Sequence, residues 1–195
     1  MKKAEKTKQF IIEKSAPVFN VKGIAATAMS DVMEATKLAK GSLYVHFENK
    51  EELSACVVDY CLKTLADKAA LSTNIQQTAR AKLFAFIDFF SNPLDSPIFG
   101  GCPMINFGME ADDTNPVIRK KVNRMIESVQ ENITAMIEEG KSAGEFETEW
   151  DSEEFAVKTF AMLEGGIMIS KVSGNKDKMK VIARILKNEI EAQVL

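Results

Sequence analysis

Six side chains able to donate hydrogen bonds, Lys37, Lys40, Ser42, Tyr44, His46 and Lys50, fall within fourteen consecutive residues. DNA backbones present acceptors to a protein, so a cluster of short- and long-armed donors suits phosphate contact. Leu43, Tyr44 and Phe47 recur there at three- and four-residue spacing, which gives a short helix over residues 39–47 an apolar face. Its other side carries Lys40, Gly41, Ser42 and His46. A short helix with small and polar residues near its start fits the major groove, with Lys37 and Val45 also able to reach base edges. Thr27 adds a hydroxyl just ahead of the preceding helix. His46 is the only histidine. Alone it makes neither a metal site nor a catalytic base.

Cysteine is the other reactive residue type. Cys102 precedes Pro103 at an expected helix start, where backbone N–H groups and the helix dipole favour a thiolate. Gly100 and Gly101 before it suggest an accessible thiol; the competing reading is a small apolar residue at a helix end. Cys56 and Cys61 lie five apart and hence on different faces of a helix. An odd count of three without metal-ligand spacing fits reduced thiols, with no metal or cofactor expected. A thiol-dependent enzyme would need a base, and no Cys–His pair can be argued. The chain is therefore expected not to be an enzyme.

The elements that must position these residues are all helical. Met29, Val32 and Met33 mark a short helix ahead of the donor cluster, with the turn at residues 36–38 between the two. A first helix over 5–20 contains Pro17, which should bend or loosen its last turn. Gly23 breaks the chain after it. A fourth helix over 51–72 has Asn49 as its cap, and a fifth over 74–91 ends before Pro93. Residues 92–101, with two prolines and two glycines, form the clearest break. Pro103 and Pro116 each open a helix at its first position, the second running to about residue 143 before Gly144. Asp151 and Glu154 have the spacing of a capping box for a helix through residue 170, and a last helix spans 176–193. No alternating stretch suggests a strand. The expected fold is all-α, about nine helices: a three-helix head and a helical body.

The segment KGSLYVHFENKEEL, residues 40–53, resembles the signature of the TetR family of bacterial repressors, and the match extends back through Ala35, Val32, Asp31, Thr27 and Gly23. Two positions depart from the family pattern. Lys37 stands where the turn usually has glycine, so a lysine must take positive φ. Ala39 stands where a Ser or Thr usually caps the recognition helix, which forgoes a bond worth roughly 1 kcal/mol. The resemblance implies a helix-turn-helix DNA-binding domain over 1–48 and an effector-binding, dimerising domain over 49–195. It implies a repressor that binds a two-fold operator in double-stranded DNA as a homodimer and is released by a small molecule. DNA contacts would fall to Thr27, Lys37, Lys40, Ser42, Tyr44, His46 and Lys50. The Gly-Cys-Pro segment is similar to one in a subset of the family, some members of which respond to electrophiles through a cysteine there, which makes Cys102 a candidate sensor thiol.

Composition agrees. Residues 1–50 carry a net charge of +4 and residues 51–195 a net charge of −7, a basic head on an acidic body. The longest apolar run is about five residues, far short of the roughly 18 a membrane span needs. No signal core follows the N-terminal lysines, among them Lys2. A cytoplasmic protein with no membrane partner is expected. Phe84, Phe90, Phe99, Met104, Phe107, Met125, Phe160 and Met162 are candidates to line a pocket for an apolar or amphipathic effector, oriented by Asn106 and Glu110. The competing reading of such stripes is ordinary core. Gly165 and Gly166 lie mid-helix, at about 1 kcal/mol each relative to alanine. Close approach of a second helix would offset that. The resemblance implies that the last two helices pair with their copies in a second subunit, and the two glycines are expected there with Ile182 and Leu186.

Overall fold

The computed structural model describes residues 3–92 and 95–195. Among these residues there are nine α-helices: α1 (Lys3–Lys22), α2 (Met29–Thr36), α3 (Lys40–Tyr44), α4 (Lys50–Asn74), α5 (Ala79–Phe90), α6 (Pro103–Ala111), α7 (Pro116–Ser142), α8 (Ser152–Ser173) and α9 (Asp177–Glu191). No strand occurs among them, only an isolated antiparallel bridge between Phe146 and Val194. The fold is all-α as expected. Lys2 and Pro93, both used above, lie outside the described residues.

The helix ends follow from local chemistry. α1 continues five residues past Pro17 and stops at Gly23, φ +82°. An interior proline costs about 3 kcal/mol. Ile11, Ala16 and Phe19 around it are fully buried, and burial of a large apolar side chain contributes roughly 1.5–3 kcal/mol, so packing outweighs the lost bond. α5 begins at Ala79, later than expected, because the Thr78 hydroxyl accepts from the Ala81 N–H at 3.2 Å. The Glu145 carboxylate accepts from the next two donors, Ala79 at 3.1 Å and Arg80 at 3.2 Å. Pro103 opens α6, Asn115 Oδ1 accepts from the Ile118 N–H at 3.1 Å in α7, and Asp151 Oδ1 from the Glu154 N–H at 2.9 Å in α8.

The chain packs as two compact units, residues 1–65 with 97–123 and residues 66–96 with 124–195. This division by packing cuts the chain elsewhere than a division by task at residue 48. The first unit holds α1–α3, the first part of α4, α6 and the start of α7. Phe19, Val32, Leu43, Phe47, Leu53 and Phe107 are among its large buried side chains.

The second unit holds the end of α4, α5, most of α7, α8 and α9. Phe146, Trp150 and Phe155 stack edge to face in it, with ring centroids 5.1 and 4.8 Å apart. Its ion pairs, such as Lys82–Glu139 and Lys187–Asp88, both at 2.6 Å, lie near the surface and contribute little each. α8 packs on α9, and Gly166 is where they meet. A Cβ there would lie 2.8 Å from Met179 Cε and 2.9 Å from Ile182 Cδ1. The close approach expected of the glycine pair is thus made, at Gly166, by the protomer's own α9. Leu186 is fully buried in the same protomer and Ile182 is half-buried. Gly165 has no neighbour within 4 Å of its Cβ position. It lies on a different strip of α8, with exposed Val157, Met168, Ile169 and Val172; Val181 and Ile185 are exposed on α9. Of the four residues expected at a dimer interface, Gly166, Ile182 and Leu186 are engaged within the protomer, because α8 and α9 each have two apolar strips.

Candidate nucleic-acid interface

The helix-turn-helix is built from short-range bonds. Asp31, in the first turn of α2, accepts from the Ala28 N–H at 2.9 Å and from Lys22 Nζ at 2.8 Å. The Lys22 bond, then the Ala28 N–H, hold its carboxyl below the usual range. The Thr36 hydroxyl donates to Val32 O at 2.7 Å and accepts from the Leu38 N–H at 3.3 Å, closing the turn. Lys37 sits there at φ 58°, the one non-glycine with positive φ among the described residues. Ala39 makes no side-chain cap, as its side chain requires.

Lysine in the left-handed region costs roughly 1 kcal/mol. Lys37→Gly should therefore raise stability in urea unfolding by a little under that amount, since glycine also loses more chain entropy. If Lys37 touches a phosphate, the same variant lowers the salt slope of DNA binding by about one. A destabilised variant would mean that the lysine makes compensating contacts at the turn.

In α3, Leu43 is fully buried and Phe47, just beyond it, is 2% exposed. That anchoring leaves Lys40, Gly41, Ser42, Tyr44 and Val45 on the exposed side, with Val45 at 80% exposure. Lys40 Nζ lies 5.8 Å from the centre of the Tyr44 ring. His46 is half-buried and Lys37 exposed. Tyr44, counted above on the apolar side, thus presents much of its surface to solvent.

Two of the expected DNA contacts are engaged internally. Thr27 is 1% exposed, and its hydroxyl donates to Gly23 O at 2.6 Å. It shapes the loop before α2 rather than offering a donor. Lys50 Nζ donates to Ala25 O at 3.0 Å and Thr27 O at 2.7 Å, which leaves one of an ammonium's three donors for a phosphate. At the start of α4, Glu52 accepts from the Glu48 N–H at 2.7 Å and from Lys8 at 3.0 Å. These two bonds, the Glu48 N–H first, hold its carboxyl low.

The ten residues assigned to an effector pocket divide between the units. Phe99, Met104, Asn106, Phe107 and Glu110 belong to the first, and Phe84, Phe90, Met125, Phe160 and Met162 to the second. Phe99 is 75% exposed, while Phe107, Met104 and Phe90 are buried. The two polar members have protein partners. Asn106 Nδ2 donates to the backbone and side-chain oxygens of Asn20 at 2.9 and 3.1 Å. Glu110 accepts from the Ile24 and Ala25 N–H groups, each at 2.6 Å. These roles escaped the sequence reading because the partners lie more than eighty residues away.

Cys102 is 5% exposed, not accessible as expected. Gly100 and Gly101, at φ +115° and +110°, fold the segment inward, and Asn20 Nδ2 donates to Phe99 O and Gly101 O, both at 3.1 Å. Cys61 is fully buried, and burial pushes its thiol up to about 12; burial also raises half-buried Cys56. Thiolate is the reactive form, so a disulfide reagent at pH 7.5 should label the native protein much more slowly than free cysteine and titrate all three thiols only in denaturant. One fast equivalent mapping to Cys102 would contradict this.

No helix among the described residues is long and apolar enough to cross a membrane, and no cluster of His, Cys, Asp or Glu among them could hold a metal. The family model for bacterial regulatory proteins of the tetR family matches residues 11–55, and the model for the tetracyclin repressor-like C-terminal domain matches residues 79–186. A TetR transcriptional regulator from Chloroflexus aurantiacus J-10-FL superposes with a TM-score of 0.94 at 33% identity, over 100% of this chain and 98% of that one. A TetR-family regulator from Cytophaga hutchinsonii gives 0.93 at 35% identity, with coverage of 100% and 98%. The HTH-type transcriptional repressor DhaR of Mycobacterium sp. (strain GP1) is 24% identical over 172 residues, 88% of this chain and 86% of its own length. A family model covering more than half of the chain, joined to whole-length relatives above 30% identity, means that the chain belongs to the TetR family of DNA-binding transcriptional regulators, which act as dimers and are not enzymes.

Proposed function

We propose that this protein is a ligand-released repressor that binds a two-fold operator as a homodimer, with residues 1–48 contacting DNA and residues 49–195 sensing the effector and dimerising. The observation that carries this reading is the exposed side of α3, where Lys40, Ser42 and Tyr44 stand opposite the buried Leu43 and Phe47. Lys37, His46 and the remaining donor of Lys50 flank that side. One five-residue helix reads few bases, so specificity calls for two copies on successive major grooves. The unpartnered strip of α8 and α9 supports pairing through the last two helices. An apolar or amphipathic effector fits the Phe- and Met-rich composition of α5–α8, and the cytoplasm is the compartment where bacterial DNA is met. Release follows if the effector binds better to a conformer whose heads do not match the groove spacing; the affinity lost equals that differential binding energy.

Selection from random double-stranded DNA tests the reading. The expected product is a two-fold symmetric site, with binding weakened about tenfold by Tyr44→Ala or Lys40→Ala and a steep salt dependence. No enriched site, together with salt-insensitive retention on DNA, would reject it. A thiol-sensing reading through Cys102 is not favoured, because the residue is buried.

A further inference from the structure

Glu110 belongs to α6, yet both oxygens of its carboxylate face the loop that leads into α2. Oε2 accepts from the Ile24 N–H and Oε1 from the Ala25 N–H, both at 2.6 Å. Gly23 makes room for this contact: a Cβ there would lie 2.8 Å from Oε2. From α4, Lys50 grips the carbonyls of Ala25 and Thr27. Ala25 is therefore held by its N–H from α6 and by its C=O from α4. A cleft of about 210 Å³ opens here, lined by Ile24, Ala25, Lys50, Ser54 and Glu110 among others. Charge-assisted bonds thus hold loop and helix together across it.

One turn earlier on the same face of α6, Asn106 is bonded to Asn20 near the end of α1. α6 is fastened at two points to the segment from which the helix-turn-helix departs. The contacts lie within one compact unit, and each is of a kind that a shift of about 1 Å breaks, because hydrogen bonds weaken steeply beyond their normal length.

We propose that Glu110 is a positioning residue for operator binding: it makes the direction in which α2 and α3 leave α1 depend on where α6 sits. This rests on the reading of the chain as an operator-binding regulator. Glu110 itself touches no DNA. The Ala25 N–H is exposed and the Ile24 N–H partly so, so water can replace the carboxylate and overall stability changes little when it is removed. What is lost is the fixed course of the loop.

The sign of the effect separates this role from simple electrostatics. Removing an acid from a DNA-binding unit by itself tightens binding to phosphate. Loss of positioning weakens binding to the operator. The test measures anisotropy of a labelled operator, selected with the wild-type protein, against wild type, Glu110→Gln and Glu110→Ala. Amide hydrogen exchange of Ile24 and Ala25 in the full-length protein accompanies it.

The expected result is protection of both amides in wild type and rapid exchange in Glu110→Ala. Operator affinity should fall by about tenfold in Glu110→Ala with the salt slope unchanged, since no phosphate contact is removed. Binding to random DNA should stay level or tighten. Operator affinity equal to or tighter than wild type in both variants overturns the proposal. So does wild-type exchange as fast as in an unfolded loop, a measurement that needs no variant. Failure of the wild-type protein to select any operator removes the underlying regulator reading instead, and the two failures are told apart by whether wild type binds.

Discussion

Gly140→Ala should destabilise the protein by about 2 kcal/mol, opposite in sign to the usual effect of replacing glycine inside a helix. Gly140 lies near the end of α7, where alanine would normally contribute about 1 kcal/mol of helix propensity. Here an added Cβ would lie 2.3 Å from Phe146 Cδ2, 2.4 Å from its Cε2 and 2.8 Å from the Ala79 Cβ. None of these atoms is the end of a flexible chain. Phe146 is fully buried and stacks on Trp150, which stacks on Phe155. Its backbone neighbours are also fixed, by the Glu145 N–H to Gly140 O bond at 2.8 Å and the Glu147 N–H to Gln193 O bond at 2.9 Å. Relief requires several rings or the backbone to move together. Overpacking of this kind falls at or above the top of the usual range of about 1–3 kcal/mol, which exceeds the propensity gain. Urea unfolding reads it directly, and the melting temperature should drop by about 4–8 °C for a chain of this size. A variant as stable as wild type would show that the Phe146 ring has room to turn.

Gly140 also marks where the sequence stops being legible. The helix-turn-helix could be read because its determinants are neighbours in the chain. The spacing of Val32, Leu43 and Phe47 implies the buried side, and all three are buried. The missing glycine at the turn implies a strained lysine, and Lys37 has φ 58°. Pro103, Pro116 and Asp151 announce helix starts by local chemistry alone. The residues whose partners the sequence does not reveal act over long distances. Glu110 looks like a polar group beside an apolar stripe, and nothing near it shows that its partners are Ile24 and Ala25. Gly140 reads as an unremarked helix glycine until Phe146 and Ala79 are brought to it. Cys102 shows a subtler limit. Two preceding glycines indicate an unusual backbone, which is correct, but not whether it turns the thiol outward or inward. Gly166 and Leu186 show another: helical periodicity says that a strip is buried, not whether the neighbour is the protomer's own α9 or a second copy.

That last ambiguity sets the other large effect, expected from Ile169→Glu combined with Ile185→Glu. In the protomer these side chains are 40% and 47% exposed, so glutamate at each reaches water and should leave helicity and unfolding nearly unchanged. In a dimer paired through α8 and α9 the same strip is closed against its copy. Four carboxylates are then brought together and desolvated across one two-fold interface. Burying unpaired charge costs far more than any surface substitution, and the dimer should dissociate at micromolar concentration in sedimentation velocity. Operator binding should fall by at least about a hundredfold, because each head then binds its half-site without the effective concentration supplied by its tether. Binding to random DNA should fall much less, since the donors of α3 are untouched. Gly165→Ala grades the same surface. With nothing within 4 Å of its Cβ position in the protomer, it should stabilise a monomer by up to about 1 kcal/mol; weakened dimerisation would place a neighbouring helix of the second subunit directly over it. A double-glutamate variant that stays dimeric and keeps its operator affinity would mean that the subunits meet elsewhere, and the exposed strip of α8 and α9 would then need a different partner.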